Sequence, residues 1–260
     1  MKIYETFFKL YADFTKIDAI SSLHNNGRHR DLIFFYFKLF TAIVEKNESK
    51  QKELISRISE IQISYVKENK SLSVDIYDMP YSFNSGGSQE VVFDFSEAFS
   101  NFYHAYFLYD KHRRLLSDDD FKKLYLKNIS DFHSRFFNVS NEDIINIISS
   151  NVDTEHLYDG TILKQSLMEF NNAISHLCSC FIGKADKAPN TSRAMTHINR
   201  GALDFYKAII RDLNFVNRNI NLEKLKDIRK NEFQSIGTQN GATSKVINSY
   251  KEYITEILNN

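Results

Sequence analysis

Between residues 153 and 216, apolar residues recur at alternating spacings of three and four. The first series is Leu163, Leu167, Phe170, Ile174, Leu177 and Phe181, and the second is Met195, Ile198, Ala202, Phe205 and Ile209. Such spacing places one narrow apolar stripe on each of two α-helices. The connection from Gly183 to Asn190 opens with a glycine suited to ending a helix and carries Pro189 just before the next helix. We therefore predict a long antiparallel helical hairpin whose two stripes bury each other.

Helical periodicity also covers most of the remaining chain. It runs through residues 3–21, 31–46 and 54–65, and it resumes at Phe95, where Ser96 is suited to cap the helix. The spacing does not decide whether residues 31–69 form one helix or two. From residue 71 to residue 89 the helical period is lost, and Val74 and Ile76 are placed to pair with Val91 and Phe93.

These patterns predict an all-α fold, a helical bundle organised on the hairpin. They add a small β-hairpin in the 71–95 connection. The same connection divides the chain into an N-terminal helical region, residues 1–85, and a C-terminal helical domain, residues 90–260.

The composition agrees with a helical fold class, and its balanced charge gives no sign of nucleic-acid binding. Two prolines and eight glycines among 260 residues leave few turns for many short strands. Because 33 basic residues balance 33 acidic ones, no global charge indicates nucleic acid.

No apolar run is long enough to cross a bilayer and the first residues lack a signal-peptide pattern, so we expect a cytoplasmic protein without a membrane partner. Cys178 and Cys180 point in different directions on a helix, so no disulfide is expected, and no cofactor is predicted.

Aromatic residues are unusually dense near the N-terminus. Phe34, Phe35, Tyr36, Phe37, Leu39 and Phe40 come almost consecutively. Such a run cannot share one face of a helix, so part of it must cover the C-terminal domain or another chain. We therefore expect a protein partner or a homo-oligomer, bound through the N-terminal helices.

Titratable residues on the hairpin invite a test for a metal site. A turn about residues 186 and 187 places His176 level with His197, and Glu169 level with Asp204. Each acid is then seven residues, about 10.5 Å, from the histidine of its own helix. One metal with ligands at about 2.0–2.2 Å cannot bridge both levels. Two interpretations of the histidines remain: a smaller metal site formed by His176, Cys180 and His197, or histidines that only form hydrogen bonds. We favour the second and predict no metal.

Residues 169–176, Glu-Phe-Asn-Asn-Ala-Ile-Ser-His, resemble the signature region of HEPN-type helical proteins. In that family an arginine, a polar residue and a later histidine cut RNA. Here the arginine position is Asn171, the polar position Asn172 and the histidine His176. Residues 197–207 are similar to hairpins of helical proteins from bacterial defence and toxin–antitoxin loci. Asparagine lacks the charge that arginine supplies to a scissile phosphate, so the resemblance implies a copy without nuclease activity.

A local excess of positive charge gives a further hypothesis. Residues 184–230 contain eleven basic and five acidic residues. Four of the cations share one helical stripe: Arg193, Arg200, Lys207 and Arg211. The stripe is either an ordinary solvated face or a surface for nucleic acid or an acidic partner. Asp204 lies within reach of Arg200 and Lys207 and should quench part of its field.

Together these patterns predict a non-enzymatic interaction or scaffold subunit of a multi-protein assembly, in the setting of bacterial anti-phage defence that the resemblance implies. One alternative is a HEPN-like RNase toxin, and another is a nucleic-acid-binding accessory protein. The catalytic residues of the RNase alternative would be His176, Asn172, Arg193 and His197, with Arg200 as a substitute cation.

Overall fold

A computed structural model describes residues 2–25, 30–68, 88–115, 164–182, 186–215, 220–235 and 241–259. These residues form helices and no strand, which confirms the all-α fold class. The helices are α1 (Lys2–Asn25), α2 (Arg30–Val44), α3 (Glu48–Glu68), α4 (Ser88–Leu115), α5 (Lys164–Phe181), α6 (Lys187–Phe215), α7 (Leu222–Ser235) and α8 (Gly241–Asn259). None of these helices is long and apolar enough to cross a membrane.

The chain forms two compact units. The first comprises Met1–Tyr103 and Lys164–Gly201, and the second comprises His104–Leu163 and Ala202–Asn260. Helices α4 and α6 each contribute residues to both units. The predicted division between residues 1–85 and 90–260 falls beside residues 69–87, outside the described residues, and it stays a prediction.

Helices α2 and α3 are separate because the backbone reverses at Lys46. This residue has a φ of 57°, the left-handed conformation that ends many helices. The Asn47 N–H then donates to the Ala42 carbonyl and the Lys46 N–H to the Ile43 carbonyl, which satisfies the last carbonyls of α2. Asn47 also begins α3, since its Oδ1 accepts the Lys50 N–H at 3.1 Å. The chain between residues 31 and 69 is therefore two helices.

Helix α4 begins seven residues earlier than the sequence predicted. Val91 and Phe93 are helical, so the second strand of the predicted β-hairpin is wrong, and Val74 and Ile76 lie outside the described residues. Ser96 does not cap the helix, because its hydroxyl donates to the Val92 carbonyl within it. Residues 91–95 are helical because this conformation lets Val92 and Phe95 continue the buried apolar stripe that includes Phe99.

The dense aromatic run of α2 is used inside the first unit. Phe40 lies 4.7 Å from Phe99 of α4 between ring centroids, and Phe37 lies 5.5 Å from Phe170 of α5. Tyr36, Phe37 and Phe40 are at most 1% exposed. Tyr36 packs on rings of α1, whereas Phe34 and Phe35 are only partly buried. Part of the excess that led us to expect association through the N-terminal helices is thus buried within the unit, and association by that route stays untested.

Candidate functional site

Helices α5 and α6 form the predicted antiparallel contact. Ser166 donates from its hydroxyl to the Gly201 carbonyl at 2.9 Å, near the start of α5. Near its end, Nδ1 of His176 lies 3.0 Å from Oδ1 of Asn190. The apolar stripe of α5 is buried at Leu167, Phe170, Ile174, Leu177 and Phe181, while Leu163 lies outside the described residues. The ring contacts of Phe170 and Phe181 are with α1, α2 and α4, so burial of this stripe against that of α6 stays a prediction.

The hydrogen bonds between the two helices are offset from the predicted register by six to seven residues, about two helical turns. Glu169 is level with His197, not with Asp204: its Oε2 lies 2.5 Å from His197 Nδ1. The prediction placed Pro189 before the helix, whereas α6 begins at Lys187 and holds Pro189 in its first turn. Proline is tolerated there because the first-turn N–H groups have no partner within the helix. The acid and the histidine that we expected to be separate are therefore in contact.

Gly201 makes this close packing geometrically feasible. A Cβ at this position would lie 2.5 Å from Cε2 of Phe102 and 3.2 Å from Cβ of Glu169. Only glycine leaves room for the Phe102 ring against the α6 backbone. The same absence of a side chain lets Ser166 reach the Gly201 carbonyl.

A polar cluster occupies this face of the hairpin: Glu169, His176, Asn190, His197 and Arg200. The imidazole rings of His176 and His197 stack at 5.4 Å between centroids with planes 19° apart, which confirms that these two residues lie together. Glu169, whose side chain is 10% exposed, also lies 3.5 Å from Nε of Arg200. A carboxylate on one ring nitrogen fixes the orientation of an imidazole, as in general acid–base sites.

The cluster does not include the thiol of the open metal alternative. Cys180 donates through Sγ to the His176 carbonyl at 3.3 Å. Within the described residues, no group of three or more histidine, cysteine, aspartate or glutamate side chains is placed to hold a metal ion. Burial raises the pKa of the Cys178 thiol to about 12, aided by the charge of Asp13, and burial also raises the pKa of Cys180. Neither thiol is poised as a nucleophile.

Asn171, which the sequence comparison above set at the arginine position of the HEPN signature, faces the interior of the first unit. Asn171 is 3% exposed, and its Oδ1 accepts the Tyr11 hydroxyl at 2.7 Å. Asn172, the polar position, is half-buried. Asn171 thus ties α5 to α1 and is directed away from solvent, so a guanidinium at this position would lose the hydrogen bond and bury a charge.

The four stripe cations differ in their partners. Arg200 pairs with Glu169, and Lys207 lies 2.5 Å from Glu232 of α7. These two carboxylates offset part of the positive charge of the stripe, and the predicted contribution of Asp204 stays a prediction. Arg193 is exposed and has no ion pair among the described residues. Arg193 and Arg200 belong to the first unit, and Lys207 and Arg211 to the second.

The second unit contains a groove that the sequence did not reveal. Its volume is about 360 Å³, and its walls come from α6, α7 and α8. It brings Arg229 and Tyr250 beside Lys207 and Arg211, the stripe cations of this unit. The signal available in the sequence was the polarity of α7, a helix of 14 residues in which only Ile228 is buried.

No family model, curated protein or solved structure matches the chain. The resemblance of residues 169–176 to HEPN proteins accordingly stays a prediction, and the function must be argued from the geometry.

Proposed function

We propose that the protein is a non-enzymatic interaction subunit that binds another protein within an assembly. A bacterial defence complex is the setting implied by the resemblance of its central hairpin. Surface chemistry favours binding over catalysis, because α7 exposes large apolar side chains to solvent.

The observation that carries the proposal is the exposure of α7. Phe233 is 76% exposed and Leu222 is 58% exposed, while Ile228 alone anchors the helix among the buried residues. A phenylalanine this exposed leaves apolar area in water that a partner would remove. Aromatic side chains are also enriched among the residues that dominate binding at protein interfaces.

A nuclease is the second candidate, and the stacked histidines support it. His197, held by Glu169, and the adjacent His176 offer an acid and a base within one site. The buried Asn171 weighs against it, because no arginine occupies the position that would neutralise the phosphate. Arg193 and Arg200 are the remaining cations on this part of α6, and Arg200 is already paired with Glu169.

The proposal is tested by co-expressing the tagged chain with the proteins encoded beside it and purifying the complex. We expect a stoichiometric partner that is lost in Phe233→Ser and kept in Phe107→Ser. Phe107 is a matched control, since it is 53% exposed in the same unit. Absence of any partner from the intact chain would contradict the proposal.

The nuclease alternative is tested on the same purified chain with single-stranded RNA. We expect the RNA to remain uncut. Cleavage that disappears in both His176→Ala and His197→Ala, with circular dichroism unchanged, would replace the interaction subunit with the nuclease. Tight RNA binding without cleavage, abolished in Arg193→Glu, would favour the nucleic-acid-binding alternative.

A further inference from the structure

The groove of the second unit combines an apolar floor with a charged rim. Ile210 of α6 and Leu225 of α7 contribute aliphatic surface, and Tyr250 of α8 closes the floor. Lys207, Arg211 and Arg229 supply the cations of the rim. A volume of about 360 Å³ is the size of sites that hold a few side chains or a small ligand.

Cations outnumber carboxylates at this rim. Glu232 lies 2.5 Å from Nζ of Lys207 and 2.9 Å from a terminal nitrogen of Arg229, so one carboxylate serves two cations. It also accepts the Tyr250 hydroxyl at 2.7 Å. Burial acts to raise the pKa of Glu232, but the hydrogen bonds from Lys207 and Tyr250 outweigh it and hold that pKa below its ordinary value. Glu232 is therefore a charged anchor, and one positive charge is left over beside it.

Arg211 adds a second positive charge that is weakly offset. Its side chain is 57% exposed, and its nearest carboxylate is Asp212, at 3.3 Å and with 1% exposure. Burial raises the pKa of Asp212, against the lowering effect of the charges of Arg211 and Arg113. The rim thus presents positive charge that an incoming anion could neutralise with charge-assisted hydrogen bonds.

Apolar side chains continue from the groove along α7. Leu222, Leu225 and Arg229 line it at helical spacing, and Phe233 follows Arg229 by four residues on the same face. Leu222 and Phe233 are the exposed ends of this line. A ligand that fits must therefore be apolar along the groove and negatively charged at its rim.

We propose that the α6–α7 groove binds an acidic amphipathic segment of a partner protein, with aliphatic side chains against Leu222 and Leu225 and carboxylates on Lys207, Arg211 and Arg229. This inference rests on the proposed function and names the chemistry of its partner. A protein segment is favoured over nucleic acid because the net charge of the rim is small. Nucleic-acid binders neutralise several phosphates at once, whereas peptides that dock in grooves rely on apolar anchors at helical spacing.

The experiment uses the full chain and a fluorescein-labelled helical peptide of about 18 residues, or five turns. The peptide carries leucine at every third or fourth position and glutamate beside the leucine stripe. Two further peptides replace all glutamates by glutamine or all leucines by serine. Fluorescence anisotropy should give saturable binding of the first peptide, and at least about tenfold weaker binding of the other two.

Variants of the chain locate the site. We expect Leu222→Ser and Arg211→Glu each to weaken binding of the acidic peptide by about tenfold or more. Glu232→Gln should tighten binding, because it releases two cations from their internal carboxylate. Lys226→Glu is the matched control, since it makes the same charge reversal on α7 at an exposed residue that does not line the groove.

Several results would overturn the inference. They are equal binding of the glutamate and glutamine peptides, an equal loss in Lys226→Glu, or RNA that displaces the peptide and binds more tightly. A dimer of the chain that is broken by Leu222→Ser would assign the groove to a second copy.

Failure of the groove and failure of the proposed function are distinguishable. Co-purified partner that survives Leu222→Ser and Arg211→Glu but is lost in Phe233→Ser would reject the groove and keep the interaction subunit. Groove-dependent peptide binding by a chain that co-purifies with no partner would reject the interaction subunit and keep the groove.

Discussion

Tyrosine hydroxyls are buried in both units, but in different surroundings. In the first unit, the Tyr11 hydroxyl donates to Asn171, and the Tyr36 hydroxyl donates to the Leu10 carbonyl at 2.6 Å and accepts Nε2 of Gln62 at 2.7 Å. Within the part of this unit that the structure describes, no buried side-chain oxygen or nitrogen lacks a hydrogen-bond partner. Its polar groups are committed to holding the helices together.

The second unit leaves polar capacity unused. The hydroxyl of Tyr206, a residue with no exposed area, has no hydrogen-bond partner among the described residues, and neither has Oδ2 of Asp212. At the groove, Glu232 is shared by two cations. Buried polar groups without hydrogen-bond partners reduce stability.

The difference between the units indicates that they have different roles. In the first unit, ring packing and paired hydroxyls serve structure. In the second, charge and apolar surface remain available to a ligand. Four substitutions test this difference between the units, from the largest expected effect on stability to the smallest.

The largest effect is expected from a charge in the first unit. Ile174 has no exposed area, so Ile174→Asp would bury an unpaired carboxylate. We expect a loss of at least about 4 kcal/mol in the free energy of unfolding, enough to unfold the unit. Urea denaturation followed by circular dichroism measures this. Ser179→Asp, on the exposed face of the same helix, is the control and should stay within about 0.5 kcal/mol of the wild type.

The next largest effect concerns a paired hydroxyl. Tyr11→Phe removes the donor to Oδ1 of Asn171 and leaves that buried oxygen without this bond. The expected loss is about 1–3 kcal/mol in the free energy of unfolding. In Tyr11→Phe/Asn171→Leu both partners are apolar, so the loss should be smaller than in the single variant. A single variant as stable as the wild type would show that the first unit does not depend on its buried hydrogen bonds.

Sequence periodicity predicted the fold class and the buried stripe of α5, because an apolar stripe depends only on spacing along one helix. It did not predict the register of α5 against α6, which depends on where the turn lies. The position of the turn depends on whether Pro189 precedes α6 or belongs to its first turn, and proline is compatible with both. The contact between Glu169 and His197 was missed for this reason.

The groove was missed for another reason. Its walls come from α6, α7 and α8. These helices are brought together by tertiary packing, which leaves no pattern in the local sequence. The pairing of Lys207 with Glu232, 25 residues further along the chain, likewise has no signal in the spacing of either helix. By contrast, the aromatic run of α2 was recognised in the sequence as an excess of apolar residues, and only the helices against which it packs were unknown.

Substitution of Gly201 tests how closely α6 approaches α4. In Gly201→Ala the new Cβ meets the Phe102 ring, which is itself buried among Phe37, Phe99 and Phe170 and cannot move freely. Overpacking costs about 1–3 kcal/mol and helix propensity returns about 1 kcal/mol, so we expect a net loss of about 0–2 kcal/mol. The loss should shrink by more than about 0.5 kcal/mol when Phe102→Leu is also present. A Gly201→Ala variant more stable than the wild type would mean that α6 does not approach α4 this closely.

The smallest effect is expected where the contrast between the units is sharpest. Tyr206→Phe removes a buried hydroxyl that has no described partner, and burial already raises the pKa of this phenol by disfavouring its charged form. The substitution gives up no hydrogen bond and removes a desolvation cost, so stability should be unchanged or rise by about 1 kcal/mol or less. Tyr250→Phe is the matched control, since its ring stacks on Tyr206 at 6.2 Å and its hydroxyl is bonded to Glu232. Thermal unfolding of both variants beside Tyr11→Phe decides the point: a loss in Tyr206→Phe as large as that in Tyr11→Phe would show that the second unit pairs its buried hydroxyls as fully as the first.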